Sequence, residues 1–240
     1  YGSFKKIHLG TEGVPGFFVS DRYGFRNNDK IWNSNEGEIE YATIGDGYSI
    51  GCCINYGTIA DHIEKVTQKP VLNLGVSGSG PLKKLALLRE YGNILKPKNI
   101  IWLFNDSNIH YTIDEIDNPY LSKYQDKKFQ YDLVNKQDEI DQAFVEINHQ
   151  KIKNHNKIIF KKFLKLYGLR LFISNISSEK IKLVNNYYRY SNTKVKYSAN
   201  QRELIEYKKI LLQVKDLVES WGSKIYFVYL PVYNEVLKIN

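Results

Sequence analysis

The 240-residue sequence predicts an α/β fold built on a central parallel sheet. Two observations carry this expectation. Short apolar runs at residues 39–44, 70–76 and 99–104 alternate with segments of helical periodicity, and strands alternating with helices imply right-handed crossovers between parallel neighbours. The composition, 42% hydrophobic and 14% aromatic, is that of a chain able to bury a core.

Residues 1–38 are rich in Gly, Asn and aromatics without a clear period, and read as a lead-in segment that wraps the fold rather than forming core. Residues 39–44 form a strand ending in the turn Gly45-Asp46-Gly47. Residues 57–67 are helical, with Ile59, Ile63 and Val66 spaced for one face. A second strand at 70–76 runs into Ser77-Gly78-Ser79-Gly80 and then Pro81, a residue favoured at the first helical position because its missing N–H would be unpaired there anyway. The helix expected over 81–95 carries Leu82, Leu85, Leu88 and Tyr91 and stops before Pro97. The third strand, 99–104, is nearly all apolar, as both-face burial requires. Helices are expected at 138–149, 158–173 and 200–221, the last closed by Gly222, with a further strand at 224–231.

The net charge of +8 is uneven. Between Gln150 and Tyr197 twelve Lys and Arg face one acid, Glu179, so this stretch carries +11 and the rest of the chain −3. Three readings stay open for it: a solvated face, an amphipathic surface for an anionic membrane, or an attractor of anionic polymers. No nucleic-acid motif accompanies it, so sequence-specific nucleic-acid recognition is not expected. No run approaches the roughly 18 apolar residues of a membrane span. The chain begins Tyr1-Gly2-Ser3 with no Met, and is expected to be a trimmed piece of a longer product. No feature chooses between cell envelope and cytoplasm. Cys52 and Cys53 are adjacent, a spacing at which a disulfide is strained, and read as thiols packed as small hydrophobes.

In open parallel sheets ligands sit at the carboxyl ends of strands. Three such ends are polar here: Gly45 to Ser49, Gly75 to Gly80, and Asn105-Asp106-Ser107-Asn108. Their order, with the lead-in Tyr23-Gly24-Phe25-Arg26-Asn27, resembles the SGNH/GDSL hydrolases, closely over about residues 14–108 and more loosely over 137–149 and the last helix and strand. The resemblance implies a three-layer flavodoxin-like domain over 1–240, with 1–38 as lead-in and 109–198 as a basic, mainly helical insert. It implies ester hydrolysis or acyl transfer, in which an activated hydroxyl attacks the carbonyl and preorganised donors hold the oxyanion. It places Gly47 at the nucleophile position, Gly78 as an oxyanion N–H and Asn108 as an oxyanion side chain.

The sequence departs from the family twice. Position 47 is Gly where the family has Ser, and no Asp-x-x-His occurs, as expected of a chain cut before its last catalytic block. Two outcomes follow: a hydrolase that is inactive as written, or a pseudoenzyme that binds an acylated glycan or partner through a retained pocket. Simpler roles also stand, with Asp46 bracing its turn, Gly78 only making a turn and Asn108 capping a helix. Ser49, two residues on, is expected to face away from the hole. His62 is expected at the surface, and His110 near the pocket but solvated. His149 and His155 lack metal-ligand spacing, so neither metal nor cofactor is expected. The loop from Gly75 to Gly80 has a weaker alternative as a phosphate cradle.

Overall fold

The computed structural model describes residues 3–9, 16–52, 54–105, 107–164 and 199–231. The chain opens with an antiparallel pair, β1 (Lys6–Leu9) and β2 (Gly16–Val19), with Lys6 opposite Val19. The segment after it does not merely wrap. Phe25 and Trp32 enter the core, and Phe25 meets Tyr91 edge-on with 4.8 Å between ring centroids. Asp21 explains why no period was visible there. Its carboxylate is 1% exposed and accepts from the N–H groups of Tyr23 and Phe25, Nδ2 of Asn27 and Nε1 of Trp32. One buried side chain, rather than a repeat, organises the segment.

Four parallel strands form the central sheet: β3 (Tyr41–Ile44), β4 (Val71–Asn73), β5 (Asn99–Phe104) and β6 (Lys224–Tyr229). Their spatial order is β4-β3-β5-β6, with Tyr41 in register with both Val71 and Asn99. Helices flank it: α1 (Gly47–Ile50), α2 (Ile59–Thr67), α3 (Pro81–Leu87), α4 (Asn93–Leu95), α5 (Ser107–Asp117), α6 (Gln137–Leu164) and α7 (Gln201–Ser220). The α/β class and the parallel sheet are as expected, in a layout compatible with a flavodoxin-like arrangement. Ala42, Ile44, Leu72, Leu85, Ile100 and Trp102 fill the core.

Local chemistry sets the helix ends. Thr58 with Asp61, and Asn200 with Glu203, form capping boxes at the starts of α2 and α7. Gly222, at φ +73°, ends α7: its N–H donates to Glu219 and that of Ser223 to Val218, the paired bonds of a Schellman motif. The α2 stripe is not fully inward, since Val66 is 83% exposed. The single helix expected over 81–95 is interrupted by a π turn, Leu88–Gly92. Its two charged residues are buried and tether the segment that follows α5. Arg89 donates to the carbonyls of Tyr124 and Asp126, while Glu90 accepts from the N–H groups of Tyr131 and Leu133.

Tyr1–Asp141 with Ala199–Asn240 make one compact unit and Gln142–Ser198 a second. Residues 109–141, expected in the insert, therefore belong with the sheet, where α5 lies against α3 and α7. The helices expected at 138–149 and from 158 run together in α6, because no Gly or Pro separates them. Residues 165–198, which hold seven of the twelve basic residues of that stretch, lie outside the described residues, as do the side chains of 151–164.

Candidate functional site

The carboxyl ends of β3 and β5 meet at Asp46. Its Oδ1 accepts from the N–H of Tyr48 at 3.1 Å, which caps α1. Its Oδ2 accepts from Nδ2 of Asn108 at 2.8 Å and from Nδ2 of Asn105 at 3.2 Å. Asp46 thus braces its turn and also ties the two strand ends together. Asn108 is fully buried, and its Nδ2 lies 3.2 Å from Oδ1 of Asn105 as well.

Gly47 opens α1, so its N–H belongs to the helix start, which leaves such groups without an intrahelical partner. A Cβ at this position would lie 3.6 Å from Cβ of Cys52 and 3.9 Å from Oγ of Ser77, ordinary contact distances. Nearby glycines differ: a Cβ at Gly75 would come within 2.5 Å of the Ile50 nitrogen, and one at Gly45 within 2.8 Å of Ser49 Cβ. The fold demands glycine at 45 and 75 and does not demand it at 47. Ser49 is fully buried and donates to Oδ1 of Asn73 at 3.3 Å, facing away from the corner.

Gly78 takes the left-handed conformation, at φ +67°, with open space where a Cβ would be. Its carbonyl accepts from Nζ of Lys83. Glu115 of α5 occupies the start of α3, accepting from the N–H groups of Gly80 at 2.7 Å, Leu82 at 2.9 Å and Lys83 at 3.2 Å. The place a phosphate would take in the cradle reading is filled by this carboxylate. Burial raises the Glu115 pKa despite those three donors.

Sequence reasoning missed Lys84. It is fully buried, donating to the Leu103 carbonyl at 2.9 Å and to Oδ1 of Asn108 at 2.6 Å, with its ammonium 5.2 Å from the centre of the Trp102 ring. Burial brings its pKa down to about 8, against the opposing attraction of Asp46 and Glu115. Its spacing from Pro81 and Leu88 was the available signal, because three and four residues apart share a helix face. Asn105 stood in the third loop without a role and proves to be a partner of Asp46.

The remaining candidates are scattered. Cys52 is exposed at the rim beside Gly47 rather than packed, because Gly51 ends α1 and turns the chain outward. Cys53 and Asp106 lie outside the described residues. His62 is exposed, with Nδ1 beside the Thr58 carbonyl; His110 is not simply solvated, since its Nδ1 faces Oε1 of Glu203 at 3.4 Å. His149 is exposed, and the side chain of His155 lies outside the described residues. Among the described residues no three His, Cys, Asp or Glu gather as metal ligands, and no helix is long and apolar enough to cross a membrane.

Chemically, the corner offers one carboxylate, two carboxamides and the backbone of two glycine-containing loops at the end of a parallel sheet. No family model matches the chain, and no curated protein or solved structure matches it.

Proposed function

We propose that this chain is an SGNH/GDSL-type ester-hydrolase domain that holds an acyl or acetyl ester without cleaving it. The observation that carries the reading is the corner at Gly47, where there is room for a side chain and position 47 itself supplies no hydroxyl, although Oγ of Ser77 lies 3.9 Å from where a Cβ would be. Acyl transfer needs a nucleophile, and Gly47 supplies only backbone. What remains is suited to recognition: the N–H of Gly47 at a helix start, and the loop of Ser77 and Gly78 beside it. An acetylated carbohydrate is the substrate class that fits a small polar corner of this kind, and the reading needs no metal or cofactor.

Two measurements test it. Titrating the protein with O-acetylated glucose should shift the backbone amide signals of Gly47 and Gly78, and unmoved signals at both would sink the binding reading. The Gly47→Ser protein, treated with an activated aryl acetate, should gain one acetyl group per chain by intact mass. The hydroxyl oxygen bonds to the acetyl carbonyl, the aryl oxygen leaves with the electron pair, and the hydroxyl proton goes to solvent. A Gly47→Ser protein no more acetylated than the glycine form would overturn the assignment of position 47.

A further inference from the structure

We propose that Lys84 is a positioning residue that fixes which edge of the Asn108 carboxamide faces Asp46 and the Gly47 corner. The inference rests on reading that corner as an acyl site. It begins from the hydrogen-bonding inventory. An ammonium has donors only, and an ionised carboxylate accepts only. Asn108 lies between one of each, with Oδ1 2.6 Å from Nζ of Lys84 and Nδ2 2.8 Å from Oδ2 of Asp46. A carboxamide has two orientations of nearly the same shape, and its partners must choose between them. Here they leave one. Turning the amide over would set its amino group against the ammonium and its carbonyl against the carboxylate, losing two charge-assisted hydrogen bonds at once.

Lys84 is itself held. The Leu103 carbonyl takes a second of its protons, and the Trp102 ring lies under the charge. The cation therefore stays at one place, and α3, α5, β5 and the turn after β3 are joined through it. The Asn108 dipole runs from Lys84 to Asp46, so the cation draws electrons from the carboxamide and makes its amino group a stronger donor. That amino group is the part of Asn108 on the Asp46 side, and its two protons go to Oδ2 of Asp46 and Oδ1 of Asn105, so Asn108 acts on the corner by holding Asp46, whose Oδ1 caps α1 at Gly47.

The test uses the full chain labelled with nitrogen-15, and compares wild type, Lys84→Met and Lys84→Gln. In Lys84→Met the side-chain amide signals of Asn108 should move, and affinity for O-acetylated glucose should fall about tenfold, as loss of a hydrogen bond to a charged group implies. Lys84→Gln can still donate and should recover part of both. A folded Lys84→Met protein whose Asn108 signals stay at their wild-type positions overturns the inference. If Lys84→Met does not fold, the wild type decides. The charged groups facing Lys84 are Asp46 and Glu115, and the Asn108 signals should titrate with Lys84 near pH 8. Asn108 signals that ignore that titration overturn it too. If the sugar binds no variant while the Asn108 signals move in Lys84→Met, the acyl reading falls and the positioning role stands.

Discussion

The ammonium of Lys84 lies 2.6 Å from the amide oxygen of Asn108, inside the core rather than at its edge. The contact joins α3 to α5, and the Leu103 carbonyl extends it to β5. A cation taken out of water is expensive unless its protons find partners. Two of its three protons have partners here, and burial still weighs most on its titration.

The sign of the resulting pH dependence follows directly. Lys84 has a folded pKa of about 8 against an ordinary 10.5, so between those values the unfolded chain binds more protons and stability rises with pH. Below pH 8 both states are charged and the cost of burial is present in full. Wild type should therefore gain on Lys84→Met between pH 8 and pH 10.5, by up to about 3 kcal/mol. Urea unfolding of both proteins at pH 7, 8.5 and 10 measures it, and a difference that does not change with pH would contradict it.

Two glycines of the site should answer oppositely to alanine. At Gly75 a methyl would press on the Ile50 nitrogen at 2.5 Å and on Ser49 at 2.7 Å, and Gly75→Ala should cost about 3 kcal/mol as overpacking does. At Gly47 the nearest atom is 3.6 Å away, and Gly47→Ala should be neutral or stabilise by up to about 1 kcal/mol through the unfolded chain. Thermal melts of the pair decide it. A loss at Gly47→Ala as large as that at Gly75→Ala would mean that the corner is closed to a side chain.

Glu115 fills the start of α3, and its replacement tests whether that occupancy is structural. In Glu115→Gln one carboxylate oxygen becomes an amino group facing the N–H of Gly80 or those of Leu82 and Lys83. The variant should lose about 2 kcal/mol, the cost of leaving buried donors without an acceptor. Unfolding in denaturant measures the loss, and a change under about 0.5 kcal/mol would show that water replaces the carboxylate without penalty.

These residues show where the sequence was readable. The apolar run that became β5 and the Gly222 stop were legible because hydrophobic period and backbone freedom are local properties. The Asp46 turn was legible as a turn, but its bonds to Asn105 and Asn108 cross 59 and 62 residues and leave no local trace. Lys84, Glu115, Arg89 and Glu90 were unreadable for one reason. A charge on a helix is ordinarily a solvated charge, and only a distant partner makes burial tolerable. Val66 failed in the opposite sense, because apolar spacing finds a stripe without saying what covers it.

Asp21 should be the most sensitive charge of the lead-in. Four donors converge on it: the N–H of Tyr23, the N–H of Phe25, Nδ2 of Asn27 and Nε1 of Trp32. In Asp21→Asn the new amino group must face at least one of them, and a buried donor loses its acceptor. The expected loss is about 3 kcal/mol, since hydrogen bonds to a charged group are the stronger kind. The Trp32 indole should report it separately, because its N–H signal marks the bond to Oδ2 and its ring marks packing against Tyr23 at 4.8 Å. If the segment only wrapped the fold, Asp21→Asn would loosen residues 21–32 and leave global unfolding unchanged. Because Phe25 and Trp32 stand in the same core as Leu85 and Trp102, the global transition itself should shift. Hydrogen exchange of β5 amides in the variant separates the two outcomes: faster exchange is expected, and β5 amides that exchange as slowly as in wild type would place the lead-in outside the cooperative core.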